Sequence, residues 1–162
     1  MSKDLYILIG PPGVGKSTWV QKHFQGECVV VSSDNILEEI AAETGTTYNE
    51  TFNKYMKAAD RMMWEEFDRV IEERHHPVVF DRTNMSRGAR ARVFNRLKQF
   101  HRGHGYTIHA VVIPKPDEAE HKRRLASRPG KTIPENVVES MIRSFEFPSV
   151  EEGFDSILII ED

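Results

Sequence analysis

The chain has 162 residues, of which 39% are hydrophobic and 29% are charged, and its formal net charge is −3. This composition is typical of a folded globular protein and excludes a disordered chain. The negative balance also argues against a protein that binds nucleic acid over its whole surface, although it permits a local basic groove.

No apolar run reaches the roughly 18 residues that a membrane-spanning helix needs. No targeting segment is visible either, because the short apolar run 5–9 leads directly into a glycine-rich loop. The single cysteine, Cys28, has no internal disulfide partner and indicates a reducing compartment. We therefore expect one domain, residues 1–162, in a cytoplasmic protein without membrane contact. The sequence does not indicate an oligomeric state.

The first predicted strand, residues 5–9, and the first predicted helix, residues 18–24, flank a complete G-x-x-x-x-G-K-[ST] phosphate-binding loop. Glycines let successive backbone N–H groups point at phosphate oxygens, Lys16 reaches the β- and γ-phosphates, and the Ser17 hydroxyl is placed to ligate Mg²⁺. We expect ATP to be bound by Gly10, Pro12, Gly13, Val14, Gly15, Lys16, Ser17 and Thr18.

The second predicted strand, residues 28–31, ends in Ser32-Ser33-Asp34. Ligands of open α/β sheets bind beyond the carboxyl ends of the strands, so Asp34 should lie at the same edge as the phosphate loop. Two roles are open for its carboxylate. It is either a general base that takes the proton of an acceptor hydroxyl or the N-cap of the helix that follows.

The long connection 32–77 predicts two helices, 35–43 and 49–74, separated at Gly45. Aromatic and methionine residues recur in the second helix at steps of three and four, which indicates a face buried in the core. The added helix should form one wall of a cleft above the sheet.

The third predicted strand, residues 78–80, is followed by Asp81-Arg82-Thr83-Asn84. If the strand order is 2-3-1-4-5, Asp81 lies beside the phosphate loop and Asp34 lies one strand further out. This order predicts that Asp81 supports the metal or the acceptor, although an N-cap is again the alternative. Arg82, Asn84 and Arg87 are further candidates for binding the acceptor, and the partner of Arg82 is either a substrate phosphate or a carboxylate of the site.

A helix with apolar residues at 89, 93, 97 and 100 follows the third strand. Its basic residues are expected on solvated faces, and one alternative is that they form a rim that contacts phosphates. These residues are Arg87, Arg90, Arg92, Arg96, Lys98 and Arg102.

The fourth predicted strand, residues 106–113, precedes a basic tract, 121–131, in which Arg124 and Arg128 are four residues apart. The break at Pro129-Gly130 ends that helix. Because charge builds on the equatorial oxygens during phosphoryl transfer, arginines on a segment over the phosphates indicate a lid. The alternative is an exposed basic helix end that complements the helix dipole.

A further amphipathic helix, residues 137–145, and a fifth strand, 157–160, complete the chain. Apolar strands that alternate with helices indicate a doubly wound parallel sheet. The predicted fold is therefore an α/β P-loop kinase domain with a five-stranded sheet and an arginine-bearing lid.

Four motifs in this order resemble the polynucleotide 5′-hydroxyl kinases, in their phage and eukaryotic kinase domains. They are Gly10–Trp19, Ser33-Asp34, Asp81-x-Thr83-Asn84 and the tract Arg124…Arg128…Ile133-Pro134…Ser140-Met141. The resemblance implies ATP-dependent phosphorylation of the 5′-OH of DNA or RNA. It also implies that Lys16 and Ser17 handle phosphate and Mg²⁺, that Asp34 is the base, and that Arg124 and Arg128 are lid arginines on ATP.

The chain departs from the phage members at two positions. They have one arginine just before the base and another three residues after it, where this chain has Ser33 and Leu37. The second of those arginines contacts the 3′-phosphate of the acceptor, and restoring it with Leu37→Arg should improve acceptor binding if the two clefts match.

Three functions therefore remain open. The leading one is a polynucleotide 5′-hydroxyl kinase. The second is a kinase for a small hydroxylated metabolite, such as a nucleoside, sugar or nucleotide-sugar, because the zeta-toxin and small-metabolite kinases share the scaffold. The third is an NTP-dependent switch subunit, which is disfavoured by a carboxylate where an acceptor would be activated.

Overall fold

A computed structural model of the chain describes residues 3–100, 104–128 and 131–161. Its sheet has five parallel strands in the order β2-β3-β1-β4-β5, which confirms the predicted order. The strands are β1 (Lys3–Ile9), β2 (Val29–Val31), β3 (Val78–Phe80), β4 (Tyr106–Val112) and β5 (Ser156–Ile159).

Six α-helices are present in the described part of the chain, at the predicted places. They are α1 (Lys16–Phe24), α2 (Ser33–Thr44), α3 (Tyr48–Glu72), α4 (Arg87–Leu97), α5 (Glu118–Ala126) and α6 (Glu135–Arg143). None of them is long and apolar enough to cross a membrane. The predicted break at Pro129-Gly130 and the predicted surface residue Arg102 lie outside the described residues.

The core lies on both faces of the sheet because successive side chains of a strand point to opposite faces. On β1, Leu5 and Ile7 pack with the α3 residues of the larger cluster, which include Met63 and Phe67. Leu8 faces the other way, into a smaller cluster against which α1 packs. Most of the periodic face of α3 is therefore core, as predicted, but Phe52 near the start of the helix is exposed.

Helix α4 does not present all of its arginines to solvent. Arg90 is fully buried and forms an ion pair with Glu152, at 2.9 Å between Nε and Oε1. Its two Nη groups donate to the backbone carbonyls of Asn84, Met85 and Glu146. The prediction that the Arg90 side chain lies on a solvated face is therefore wrong. The reason is its spacing, since positions 90, 93 and 97 lie on one face of the helix and all three are buried.

Three backbone hydrogen bonds bring the carboxyl ends of the central strands together. The N–H of Gly10, just after β1, donates to the Thr83 carbonyl at 3.0 Å. The N–H of Asp81, just after β3, donates to the Val31 carbonyl of β2 at 2.9 Å. The Ile113 N–H, after β4, donates to the Ile9 carbonyl at 2.9 Å. The loops that carry the candidate residues therefore begin at one edge of the sheet.

Candidate active site

The phosphate loop needs its glycines for different physical reasons. Gly13 and Gly15 have φ angles of 77° and 101°, which L side chains rarely adopt. Gly10 has no room for a side chain, because an added Cβ would lie 2.8 Å from the Ile113 carbonyl oxygen. Helix α1 begins at Lys16 directly after Gly15, so the free N–H groups of its first turn belong to the loop.

The Lys16 ammonium donates to the Gly10 carbonyl at 2.8 Å and so folds back across the loop. Burial lowers the pKa of Lys16 to about 8, against the opposing attraction of the Asp81 and Asp34 carboxylates. The nearby Arg128 guanidinium lowers it further. Because these groups interact electrostatically, the phosphate loop, both strand-end carboxylates and the basic tract meet at one place.

Asp34 is exposed in the first turn of α2 and is not its N-cap. The cap is Ser32, whose hydroxyl accepts from the Asn35 N–H at 3.3 Å. The N-cap interpretation of Asp34 is therefore wrong. Its Oδ1 instead accepts a hydrogen bond of 2.6 Å from the Tyr48 hydroxyl. No sequence pattern singled out Tyr48, because an aromatic residue at the start of a helix resembles any core residue.

Asp81 is not a helix N-cap either, since Ser86 caps α4 by accepting from the Ala89 N–H at 3.1 Å. Burial raises the pKa of the Asp81 carboxyl, and the neighbouring Lys16 ammonium opposes that rise. Asp81 is thus a partly buried carboxylate within the electrostatic reach of the phosphate-loop lysine.

Among the described residues, no group of three or more His, Cys, Asp or Glu side chains is placed to hold a metal ion. Ser17 and Asp81 offer a hydroxyl and a carboxylate, which are the hard oxygen donors that suit Mg²⁺. Mg²⁺ at kinase sites takes few protein ligands and completes its shell with water and substrate phosphates. This donor set therefore fits a magnesium ion bound together with ATP.

Helix α5 packs directly on the phosphate loop. The His121 side chain is buried, and its Nε2 atom lies 2.7 Å from the Pro12 carbonyl oxygen. Leu125 closes over Gly13, where an added Cβ would lie 3.0 Å from its methyl group. Arg124 donates to the Val14 carbonyl at 3.3 Å. Sequence reasoning assigned no role to His121, although its spacing of three residues from Arg124 places both on one face of the helix.

Arg128 lies at the end of this tract and acts on Lys16 and Tyr48 through its charge. Its Nη1 is buried and has no hydrogen-bond partner within the described parts of the chain. A buried donor of a charged group is costly to leave unpaired. The placement fits a guanidinium that completes its hydrogen bonds on an anion.

The other predicted acceptor residues are dispersed. Arg82 forms an ion pair with Asp60 of α3, at 3.0 Å, and lines a cleft of about 100 Å³ with Arg92, Trp64 and Phe80. Asn84 also lines the cleft, but its buried amide donates to the Leu8 carbonyl at 2.8 Å, so its main contact braces β1.

Arg87 is exposed and its guanidinium lies 3.9 Å from Glu146. It is not among the residues that line the cleft. The structure therefore brings Arg82 and Asn84 to one cleft and leaves Arg87 on a separate surface.

Leu37 is fully buried in the larger core cluster. An arginine there would have to bury its charge among apolar side chains, which is strongly unfavourable without a partner. The idea that Leu37→Arg would restore a phosphate contact is therefore wrong, because this position faces the core and not the cleft.

Comparison with known proteins identifies the class of protein to which this chain belongs. The AAA domain family matches residues 5–148, which is most of the chain. The chain belongs to this family, and its sheet order and phosphate loop are those of a P-loop kinase fold.

Several solved structures share the fold. A proposed kinase from Chloroflexus aurantiacus superposes with a TM-score of 0.69 at 17% identity, covering 99% of this chain and 88% of that one. A fungal RNA kinase gives 0.58 at 15% identity, with coverage of 98% and 74%. A sugar kinase from Janibacter sp. gives 0.54 at 17%, with coverage of 98% and 84%. At these identities the likeness establishes the fold alone.

Proposed function

We propose that the protein is an ATP-dependent kinase that moves the γ-phosphate to a hydroxyl group, and that its acceptor is the 5′-OH of a DNA or RNA strand. The observation that carries the transfer chemistry is that Asp34, Asp81 and Arg128 all lie close enough to the phosphate-loop Lys16 for their charges to act on it. A nucleotide switch needs the loop, but it has no use for an exposed carboxylate beside it.

Each group has a chemical task in this proposal. The loop N–H groups and the Lys16 ammonium bind the phosphates, and the Arg128 guanidinium stabilises the charge that develops on the transferred group. Asp34 accepts the proton as the acceptor oxygen attacks phosphorus and the bond to the ADP oxygen breaks. Ser17 and Asp81 would hold Mg²⁺, which when bound neutralises charge on the phosphates.

The cleft beside Arg82 supports a polynucleotide acceptor. Arg82 and Arg92 share one carboxylate, Asp60, at 3.0 and 3.6 Å, so the two arginines together carry one excess positive charge. Trp64 adds an aromatic wall, and Arg92 lies 5.3 Å from its ring centre. This excess positive charge suits a phosphate of the acceptor strand, whereas Trp64 is buried and offers little surface to a base. This cleft would supply the phosphate contact that Leu37 does not.

One observation favours a small hydroxylated metabolite instead. Glu38 lies one turn after Asp34 on α2 and forms an ion pair with Lys131. An acidic residue on the same face as the base repels a strand of phosphates, whereas it offers hydrogen bonds to a neutral polyol. The sugar kinase with the same fold is consistent with this second candidate.

The test is transfer of labelled γ-phosphate from ATP to a panel of acceptors, with Lys16→Ala as the inactive control. The panel contains 5′-hydroxyl DNA and RNA oligonucleotides of several lengths, nucleosides, and neutral sugars. We expect labelled 5′-phosphorylated oligonucleotides. Efficient labelling of a nucleoside or sugar, with inert oligonucleotides, would replace the leading proposal with the second one.

A further inference from the structure

Tyr48 opens helix α3 and is the described side chain that hydrogen-bonds Asp34. Its hydroxyl donates to Oδ1 of Asp34 at 2.6 Å, a short bond of the kind formed with an ionised acceptor. Burial and the Asp34 carboxylate raise the pKa of the Tyr48 hydroxyl, so it stays protonated and remains a donor. The bond leaves Oδ2 of Asp34 without a protein donor among the described residues.

The ring of Tyr48 also contacts the segment that follows Arg128. The Lys131 ammonium lies 4.7 Å from the ring centre, within the range of a cation–π contact. The same ammonium is paired with Glu38 of α2. Next to Tyr48, Asn49 donates to the Thr132 carbonyl at 3.3 Å and accepts from the Thr132 N–H at 3.2 Å.

We propose that Tyr48 is a positioning residue for the candidate base: its hydroxyl fixes the Asp34 carboxylate so that Oδ2 faces the acceptor hydroxyl, and its ring contacts Lys131, which follows Arg128 in the chain. This inference rests on the proposed function, because it assumes that Asp34 takes the acceptor proton.

Geometry explains why such a residue is needed. An exposed aspartate in the first turn of a helix has free rotation about its side-chain bonds, and rotational freedom at a catalytic group slows the reaction. One hydrogen bond to Oδ1 removes most of that freedom without protonating the carboxylate. The contact with Lys131 places the same ring where Lys131 and Thr132 meet helices α2 and α3.

Tyr48→Phe tests the hydroxyl alone, because the ring and its contact with Phe52 remain. We expect kcat for transfer to fall roughly 10- to 100-fold, the scale of a small misplacement of a catalytic group, while the KM for ATP stays within about twofold. Tyr55→Phe is the matched control, since no hydrogen bond of the Tyr55 hydroxyl is found in the described parts of the chain, and it should leave kcat unchanged. Equal melting temperatures confirm that both variants fold.

A double-mutant cycle with Asp34→Asn separates positioning from a direct role. If Tyr48 acts through the Asp34 carboxylate, Tyr48→Phe should have no further effect on kcat in the Asp34→Asn background. An equal loss in both backgrounds, or no loss in the wild-type background, would overturn the inference.

The assay uses the acceptor that the panel identifies, or water if ATP hydrolysis is the only turnover. Its outcomes distinguish this inference from the proposed function. Unchanged turnover in Tyr48→Phe with a large loss in Asp34→Asn rejects Tyr48 and keeps the base. Unchanged turnover in Asp34→Asn rejects the base itself, and the Tyr48 inference with it.

Discussion

Helix α2 presents Asp34 and Glu38 to the site and Leu37 to the core. Asp34 and Glu38 are four residues apart and are both exposed on one face of the helix. Leu37, three residues after Asp34, is fully buried. The surface around Asp34 is therefore shaped by what lies opposite this face. In the structure that is Tyr48 and Lys131, on helix α3 and the segment after α5.

Asp34→Asn should separate catalysis from binding and from stability. We expect transfer to fall about 10²- to 10⁴-fold, the usual contribution of a positioned base, with Mg·ATP affinity near that of the wild type. The melting temperature should hardly change, because Ser32 caps the helix. Calorimetry with an ATP analogue and thermal melts check both points. Loss of ATP binding along with turnover would make Asp34 a nucleotide or metal ligand.

As a comparison for stability, Ser32→Ala should lower the free energy of unfolding by about 1 kcal/mol, the typical cost of losing a cap. If Asp34→Asn cost as much, the capping role would have been assigned to the wrong residue.

If Lys16 binds the phosphates as proposed, ATP binding should depend on pH. Since burial lowers its pKa to about 8 and bound phosphates favour the ammonium form, ATP affinity should decrease as the pH rises through about 8. Calorimetry above that pH should detect proton uptake on binding, as a heat that changes with the ionisation enthalpy of the buffer. Lys16→Ala should bind ATP weakly and without this proton uptake. Proton uptake that persists in Lys16→Ala would assign it to another group.

Arg128 should act in the transition state more than in binding. Arginines that stabilise the transferred phosphoryl group contribute about 10³- to 10⁵-fold to turnover, so Arg128→Ala should lower kcat far more than it raises the KM for ATP. Arg128→Lys should restore only part of the lost kcat, because an ammonium lacks the planar fork of donors. Steady-state kinetics decide this, and an unchanged kcat in Arg128→Ala would remove Arg128 from the mechanism.

At the scale of the elements, local pattern was enough to find the strands and helices. Apolar runs bounded by turn residues predicted every strand, and α3 was evident from its apolar steps over seven turns. The predicted first and last residues of these elements were less exact. Helix α1 starts at Lys16 and not at residue 18, because the positive φ of Gly15 lets the helix begin directly at the loop.

The burial of Arg90 was the element-scale feature that the sequence did not reveal. Its partners are Glu152 and three backbone carbonyls. Glu152 and the Glu146 carbonyl are more than 50 residues away in the sequence, and the carbonyls of Asn84 and Met85 belong to the loop before the helix. The sequence analysis placed Arg90 on a solvated face with the other basic residues of α4, because the charge of arginine argued for the surface. The long-range ion pair with Glu152 allows Arg90 to be buried instead, and no local pattern in the sequence encodes that pair.

Removing Arg90 should therefore destabilise the whole domain. Arg90→Ala leaves Glu152 without its partner and several buried carbonyls without donors, so we expect a loss of about 3–5 kcal/mol in the free energy of unfolding. Arg87→Ala on the same helix removes only an exposed pair with Glu146 and should cost less than about 1 kcal/mol. Urea unfolding measures both. Similar small losses would mean that the Arg90 network contributes little to stability.

At the scale of the whole molecule, the site depends on contacts between distant parts of the chain. The sheet order was predictable, and it correctly implied that the ends of β2 and β3 bring Asp34 and Asp81 near the loop. The packing of α5 on the loop through His121, and the contact of Lys131 with Tyr48, were not predictable. They depend on side-chain contacts between segments about 80 to 110 residues apart, which a single sequence does not show.

The overall charge of the protein limits how an acceptor strand could bind. With a net charge of −3, the protein does not attract a polyanion from a distance, so an oligonucleotide must gain its electrostatic binding from local arginines. Two phosphate contacts, at Arg82 and Arg92, predict that its KM rises about sevenfold between 50 and 200 mM salt, at about 0.7 logarithmic units per contact for a single strand.

Arg92→Ala should remove about half of that dependence on salt, on the logarithmic scale. Arg87→Ala is the matched control, because Arg87 does not line the cleft, and it should leave the dependence unchanged. The KM for a neutral sugar should not change with salt in any of these proteins. A KM for oligonucleotides that is independent of salt, or a dependence that Arg87 and not Arg92 removes, would show that the cleft beside Arg82 does not bind the acceptor strand.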